Sequence, residues 1–411
     1  MGMISELPDD LLLKILSSLF PEDLIATSVL SRRWRSLWKL VPKLNIGEQH
    51  RTKYSMRDVD MIYSSLAFSN PQVLRSLDFK LISYDSEWLE YWTKPTVYHG
   101  LRELRFELVY RSLKFPTRLY VCKTLETLIL CKLHLVDVPP WACFLSLKTL
   151  HLLSVNFSHE ESVQKLLSIC PVLEDLVVRR STYVSVEVYT INVPTLRSLS
   201  IDYLHAASPP AGVHGFVINA PSLKYLNIRD HVSNFLKFSN MPKLVKANVE
   251  VVCDQSKSLL GSLASIQHLS LCSKNLNIPY HADTFFLFLE HLELCTCSAE
   301  WCDSLTRILK EAPRLRVLKL KSIHCTSYND SMECWNQPSS VPECLSSHLQ
   351  ILEWRRYKGT KLEKQLAKYI LAKAGHLKMA TFSSKATEEH QMFKKLESVP
   401  ICSKSCQLLF D

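Results

Sequence analysis

The sequence predicts an α/β chain: a short helical amino-terminal unit, an irregular solenoid of parallel strands on a concave face, and an α+β carboxy-terminal cap. Three observations carry this. Helical spacing of apolar residues fills the first 45 positions. A leucine motif returns with a near-constant period through the middle of the chain. The period then fails, and a helix flanked by strand patterns follows.

The 411 residues carry a formal charge of +9, and 47% are apolar, enough for a large buried core. That excludes a disordered or fibrous chain. With 8 glycines, neither G-x-x-x-x-G-K-[ST] nor G-x-G-x-x-G occurs, so no glycine-rich phosphate cradle is expected. The 14 cysteines are scattered singly, unlike the framework of a small secreted domain. Met1–Pro8 has neither a basic segment nor an apolar one, so no signal peptide is read there. Gly2 lacks the Ser or Thr that myristoylation needs at position 6, which is Glu6. No apolar run reaches the ~18 residues of a bilayer span. The expectation is a reduced protein of the cytoplasm or nucleus with no membrane contact.

The helical unit comes first. Pro8 suits a first helical turn, and Asp9 and Asp10 place negative charge there. Leu12, Ile15, Leu16 and Leu19 follow at i, i+3, i+4, i+7, and Leu11 and Leu13 widen the stripe. Pro21 opens a second helix through Leu24, and Ser31 is a plausible N-cap for a third over Arg32–Trp38. So short a segment cannot bury this much apolar surface by itself. The sink is either the rest of the chain or another protein, and each residue placed there contributes at most ~1.5–3 kcal/mol.

Leu7-Pro8-Asp9-Asp10-Leu11-Leu12-Leu13-Lys14-Ile15-Leu16 and Ser28–Trp38 together resemble an F-box over about residues 4–45. The resemblance implies docking to a Skp-type adaptor, and through it to the cullin and RING subunits of an SCF ubiquitin ligase. Leu7 and Pro8 match the entry dipeptide. Leu12, Ile15, Leu16, Leu19, Leu30, Trp34 and Trp38 then form the docking surface and its support.

L-x-x-L-x-L, with other apolar residues allowed, begins at Leu74, Leu101, Leu125, Leu147, Leu173, Leu196, Leu223, Leu244, Ile266, Leu289, Leu315 and Leu349. Successive starts lie 21 to 27 residues apart except the last, at 34. This is the leucine-rich-repeat period. A proline two residues ahead, as at Pro171, Pro194, Pro221, Pro242 and Pro313, sets up an extended strand entry. In each strand alternate residues point inward, as Leu128 and Leu130 do, while Thr127, Ile129 and Cys131 line the concave face. Between strands, Ser162–Ile169 and Asp303–Glu311 read as helices and Tyr183–Ile191 as a strand.

The candidate target face consists of Arg105, Glu107, His151, Arg179, Tyr225, Arg229, His268, His291, Lys319 and Arg355, all at outward positions of the repeats. Over the second, fourth and sixth positions after the leading residue of every repeat, charged residues number eight basic and eight acidic, which disfavours a nucleic-acid groove. The positive excess lies in residues 355–411, with 12 basic and 5 acidic side chains.

Past the repeats, Leu349–Arg355 reads as a strand and Gly359 as a turn. Leu362, Leu366 and Ile370 mark a helix that Gly375 can end, and Leu377–Phe382 is a last strand. With Val341–Leu345 ahead of it, this stretch resembles the FBD domain that follows leucine-rich repeats in plant F-box proteins, as does the ending Ser405–Asp411. The resulting division is 1–45 F-box, 46–73 linker, 74–335 repeats, 336–385 FBD and 386–411 tail. Tyr54–Asn70 and Ala206–Gly215 are read as linker and loop.

No catalytic constellation emerges. His159-Glu160-Glu161 is not H-E-x-x-H, since position 163 is valine. His291, Cys295, Cys297 and Cys302 have the residue types of a zinc site but not its spacing. His291 and Cys295 fall on the face opposite Leu292 and Leu294. No metal and no cofactor are expected. The implied function is substrate recognition within an SCF-type ligase, with an unknown protein target on the repeats. The alternative is an adaptor-binding scaffold that presents nothing for ubiquitination.

Overall fold

The computed structural model describes residues 3–19, 21–47, 74–81, 100–108, 115–135, 138–180, 186–204, 212–239, 241–252, 261–273, 286–298, 301–322, 335, 337–384, 393–394 and 396–411. They fall into two compact units, residues 1–196 with 206–208, and residues 197–205 with 209–411.

The first unit begins with three short helices, α1 (Asp9–Leu16), α2 (Pro21–Ala26) and α3 (Trp34–Leu37). Pro8 is extended just before α1, and its carbonyl accepts from the amides of Leu11 and Leu12, both at 3.1 Å. α3 starts two residues later than the sequence indicates. Ser31 Oγ accepts from the Trp34 amide at 3.4 Å, and a 3-10 turn over Trp38–Leu40 completes the segment. Arg33 pairs with Asp9, its Nε donating at 2.9 Å, which ties α3 back to α1.

Parallel strands follow: β1 (Lys43–Gly47), β2 (Ser76–Leu81), β3 (Glu103–Leu108), β4 (Thr127–Cys131), β5 (His134–Leu135), β6 (Thr149–Leu153), β7 (Asn156–Phe157), β8 (Asp175–Arg179) and β9 (Val188–Asn192). The sheet runs in the order β1-β2-β3-β4-β6-β8, with β5 paired to β7 beside it. Helix α4 (Glu160–Ser168) packs on β9.

The second unit holds β10 (Ser198–Tyr203), β11 (Gly215–Asn219), β12 (Tyr225–Asp230), β13 (Phe235–Phe238), β14 (Lys246–Val251), β15 (His268–Ser273), β16 (His291–Cys295), β17 (Val317–Lys321), β18 (Ile351–Arg355), β19 (Met379–Ser383) and β20 (Gln407–Phe410). Its sheet is also parallel, β10-β12-β14 and then β15 to β20 in sequence, while β11 pairs with β13. Helices α5 (Trp301–Glu311), α6 (Glu343–Ser347) and α7 (Lys361–Lys373) lie in the connections.

The leucine motif explains each rung. In β3, β4 and β6 the motif residues Leu104, Phe106, Leu128, Leu130, Leu150 and Leu152 are buried, while the residues between them are at least partly open; Cys131, expected on the concave face, is instead buried at the end of β4. Each buried side chain contributes about 1.5–3 kcal/mol, and only stacking against the next rung supplies the cover. At strand entrances one carbonyl accepts two successive amides. Arg102 O takes Glu126 and Thr127, and Lys224 O takes Val245 and Lys246. Hydroxyls add a second stitch. Thr124, Ser146 and Thr195 each precede a leading leucine and donate to the previous repeat at 2.7 Å.

Several expectations need correction. Residues 407–410, assigned to the 386–411 tail, form a strand: β20 pairs in register with β19, and Phe410 stacks on Phe393 at 4.6 Å. Gly375 is not a left-handed helix stop. α7 ends at Lys373 with Ala374 as its C-cap, and an added Cβ on Gly375 would meet Ser346 O at 3.1 Å, so close approach is what favours glycine. Gly215 is not in the loop but opens β11, where a Cβ would lie 1.7 Å from Phe235 O. The strand read over Tyr183–Ile191 is β9, Val188–Asn192, and residues 181–185 lie outside the described residues. The linker Tyr54–Asn70 lies outside them too.

Candidate functional site

The nine F-box side chains divide by burial. Leu12 and Leu16 are 0% exposed and Trp34 is 2% exposed, so these three hold the helices together and offer nothing to a second chain. Leu7, Leu19 and Trp38 are half-buried, and Pro8 is exposed. Ile15 is 38% exposed and Leu30 58%. Leu11, one turn before Ile15 on α1, and Val29, beside Leu30, are also exposed. Sequence reasoning took Leu11 as a widening of the stripe and passed over Val29. Flanking polarity gives no sign of either, since exposure depends on what the neighbouring segments leave uncovered.

The outward face of each sheet is a lattice of charge pairs. In the first unit Arg105 donates to Glu107 at 3.0 Å and lies 3.7 Å from Asp78. Lys132 reaches the other Glu107 oxygen at 3.1 Å. Burial pushes the Glu107 carboxyl up, but Arg105 and Lys132 outweigh it and hold the group below its ordinary value. Asp78 goes the other way, raised by burial. His151 follows Arg105 and Ile129 in register, and burial lowers its pKa against the opposing pull of Asp175. Arg179 ends β8 and is exposed.

In the second unit Tyr225 stands half out of the sheet at the start of β12. Arg229 donates to Asp202 at 3.0 Å, and His231 meets Glu250 at 2.8 Å. The rings of His268 and His291 stack with centroids 4.3 Å apart. Lys319 lies 2.7 Å from Glu353, which also takes Arg355. Burial raises the Glu353 carboxyl, but these two cations prevail and hold it low.

The cysteines near His291 in sequence are not expected to form a metal site with it, and one placement among them differs from expectation. Cys295 is not on the open face as the alternation indicates. It is 0% exposed and clusters with Cys272 and Cys297. Cys302 lies on α5, its thiol pushed up to about 12 by burial. Among the described residues no group of three His, Cys, Asp or Glu side chains could hold a metal ion. No described helix is long and apolar enough to cross a membrane.

A half-covered helical unit followed by leucine-motif strands on a parallel sheet defines an F-box and leucine-rich-repeat protein. The chain matches the F-box domain family over residues 4–45. It matches the repeats described as "FBD-associated F-box protein At5g56370, LRR repeats" over 89–249, and the FBD family over 337–382. It is 48% identical to the putative FBD-associated F-box protein At5g56560 of Arabidopsis thaliana, covering 99% of both chains. The F-box/FBD/LRR-repeat protein At5g56420 of the same plant is 39% identical, covering 99% of this chain and 98% of the relative. Among solved structures, the LRR protein LIC12759 of Leptospira interrogans has a TM-score of 0.44 at 17% identity, covering 91% of each chain. The chain belongs to the family of FBD-associated F-box proteins, and its F-box domain implies a Skp-type adaptor as partner.

Proposed function

We propose that this protein is the substrate receptor of an SCF-type cullin–RING ubiquitin ligase, acting in the cytoplasm or nucleus. The F-box docks the Skp-type adaptor, the adaptor links it to the cullin and RING subunits, and the outward face of the repeats holds a protein target. The observation that carries this reading is the pair of exposed apolar side chains, Ile15 and Leu30, on a unit whose own core is closed by Leu12, Leu16 and Trp34. Covering Leu11, Ile15, Val29 and Leu30 adds up to about 1.5–3 kcal/mol apiece. Several must be buried together to exceed the ~4–15 kcal/mol cost of association. The receptor contributes no catalytic group. It raises the effective concentration of target lysines at the charged conjugating enzyme.

The test is a binding titration of the purified chain with a Skp-type adaptor. Ile15→Asp combined with Leu30→Asp is expected to weaken binding at least a hundredfold, with circular dichroism and thermal midpoint unchanged. Unaltered affinity in that variant would overturn the docking assignment. A protein that accumulates when the receptor is removed, and is ubiquitinated when it is restored, separates a receptor from a scaffold.

A further inference from the structure

His268 on β15 and His291 on β16 stand opposite each other in the parallel register, half-buried, with ring planes 24° apart. They line a depression of about 190 Å³ together with Lys246, Ser270, Glu293 and Lys319. Register gathers these groups. Lys246 on β14 pairs with His268, while Ser270, Glu293 and Lys319 share the next row.

Charge there is already partly settled. Glu293 pairs with Lys321, and Lys319 pairs with Glu353. Glu250, from β14, is occupied by His231. Lys246 and the two imidazoles have no carboxylate at ion-pair distance among the described residues. Around His291, Glu290 pulls its pKa up, while Lys319 and Arg316 push it down.

We propose that this depression is a subsite for the oxyanion of a target side chain, a carboxylate or a phosphate ester; the assignment rests on the receptor reading above. The lining offers the nitrogens of Lys246, His268, His291 and Lys319 with the Ser270 hydroxyl, and its carboxylate, Glu293, is neutralised by Lys321; the space fits the head of one such side chain. Protonating His291 is opposed by burial and by the His268 ring stacked on it, which together hold it below its ordinary value. An oxyanion supplies the missing counter-charge, so binding takes up a proton. Affinity for a carboxylate therefore rises as pH falls from 7.5 to 6.0, where imidazole is the side-chain type that changes charge.

The experiment uses the full-length chain with its adaptor and three fluorescent heptapeptides, identical except for a central Glu, Gln or phosphoserine. Anisotropy at pH 7.5 and 6.0 gives the affinities. The Glu or the phosphoserine peptide is expected to bind about tenfold more tightly than the Gln peptide, and the Glu peptide more tightly still at pH 6.0. Their ranking tells which oxyanion the site takes. Two variants, His268→Gln with His291→Gln and, separately, the exposed Lys246→Ala, are expected to cut the discrimination to threefold or less. Adaptor co-purification and thermal midpoint monitor their folding. Equal binding of all three peptides, or full discrimination in folded variants, overturns the subsite. Loss of adaptor binding by the parent chain instead overturns the receptor reading, and the peptide affinities are read from the chain alone.

Discussion

Leu12 and Ile15 lie three residues apart on one short helix and have opposite fates, 0% against 38% exposed. The stripe of Leu12, Ile15, Leu16 and Leu19 is legible from spacing, but spacing gives all four the same role. It follows that Leu12→Asp would report on folding, whereas Ile15→Asp reports on docking. Glu107 shows the same dependence on neighbours. Its pKa is lowered in the folded state from the usual 4.5 because Arg105 and Lys132 outweigh burial. An acid depressed on folding stabilises above its unfolded value, and that stabilisation is lost as pH falls through the lower folded one. Glu107→Gln should therefore cost about 0.5–1 kcal/mol at pH 7, small because Lys132 is half exposed. The difference from the parent should shrink as pH falls below 4.5 and close once pH has passed through the lower folded value. Urea midpoints across that range check this, and a difference that does not change with pH would remove the ion network from the account.

Among the elements, α7 is the clearest case of a local rule. Thr360 Oγ1 accepts from the Glu363 amide at 3.2 Å, and Glu363 Oε2 takes the amides of Thr360 at 3.2 Å and Lys358 at 2.9 Å. Thr360→Ala should cost about 1 kcal/mol, read as a lower denaturant midpoint at unchanged slope. A change within the scatter of a surface substitution such as Lys361→Ala would show that the cap is idle. The helix itself was legible from Leu362, Leu366 and Ile370. The Thr-x-x-Glu cap was written in the sequence but not read, as were the hydroxyls of Thr124, Ser146 and Thr195 ahead of their leading leucines. β20 had no such signal. Gln407-Leu408-Leu409-Phe410 lacks polar alternation, and its strand state comes from the open edge of β19.

At the level of the whole molecule, a repeat chain is stabilised by each rung covering its neighbour, so an end strand matters beyond its length. Removing Gln407–Asp411 should lower stability by about 1–3 kcal/mol. It should also speed hydrogen exchange at the β19 amides, because Phe382 loses Phe410 at 6.3 Å. Unchanged protection of β19 would make the segment dispensable. The sequence by itself determined the repeat architecture, the inward side chains of most rungs, the helical unit at the start and the helix of the FBD region. Each of these is a local periodicity that the backbone must honour wherever it lies. Only the tertiary structure decided that Ile15 stays open while Leu12 closes, that Cys295 is covered, that His268 stacks on His291, and which charges pair across the sheet. Those outcomes depend on segments distant in sequence, and the free energy of covering a side chain belongs to the neighbours that cover it.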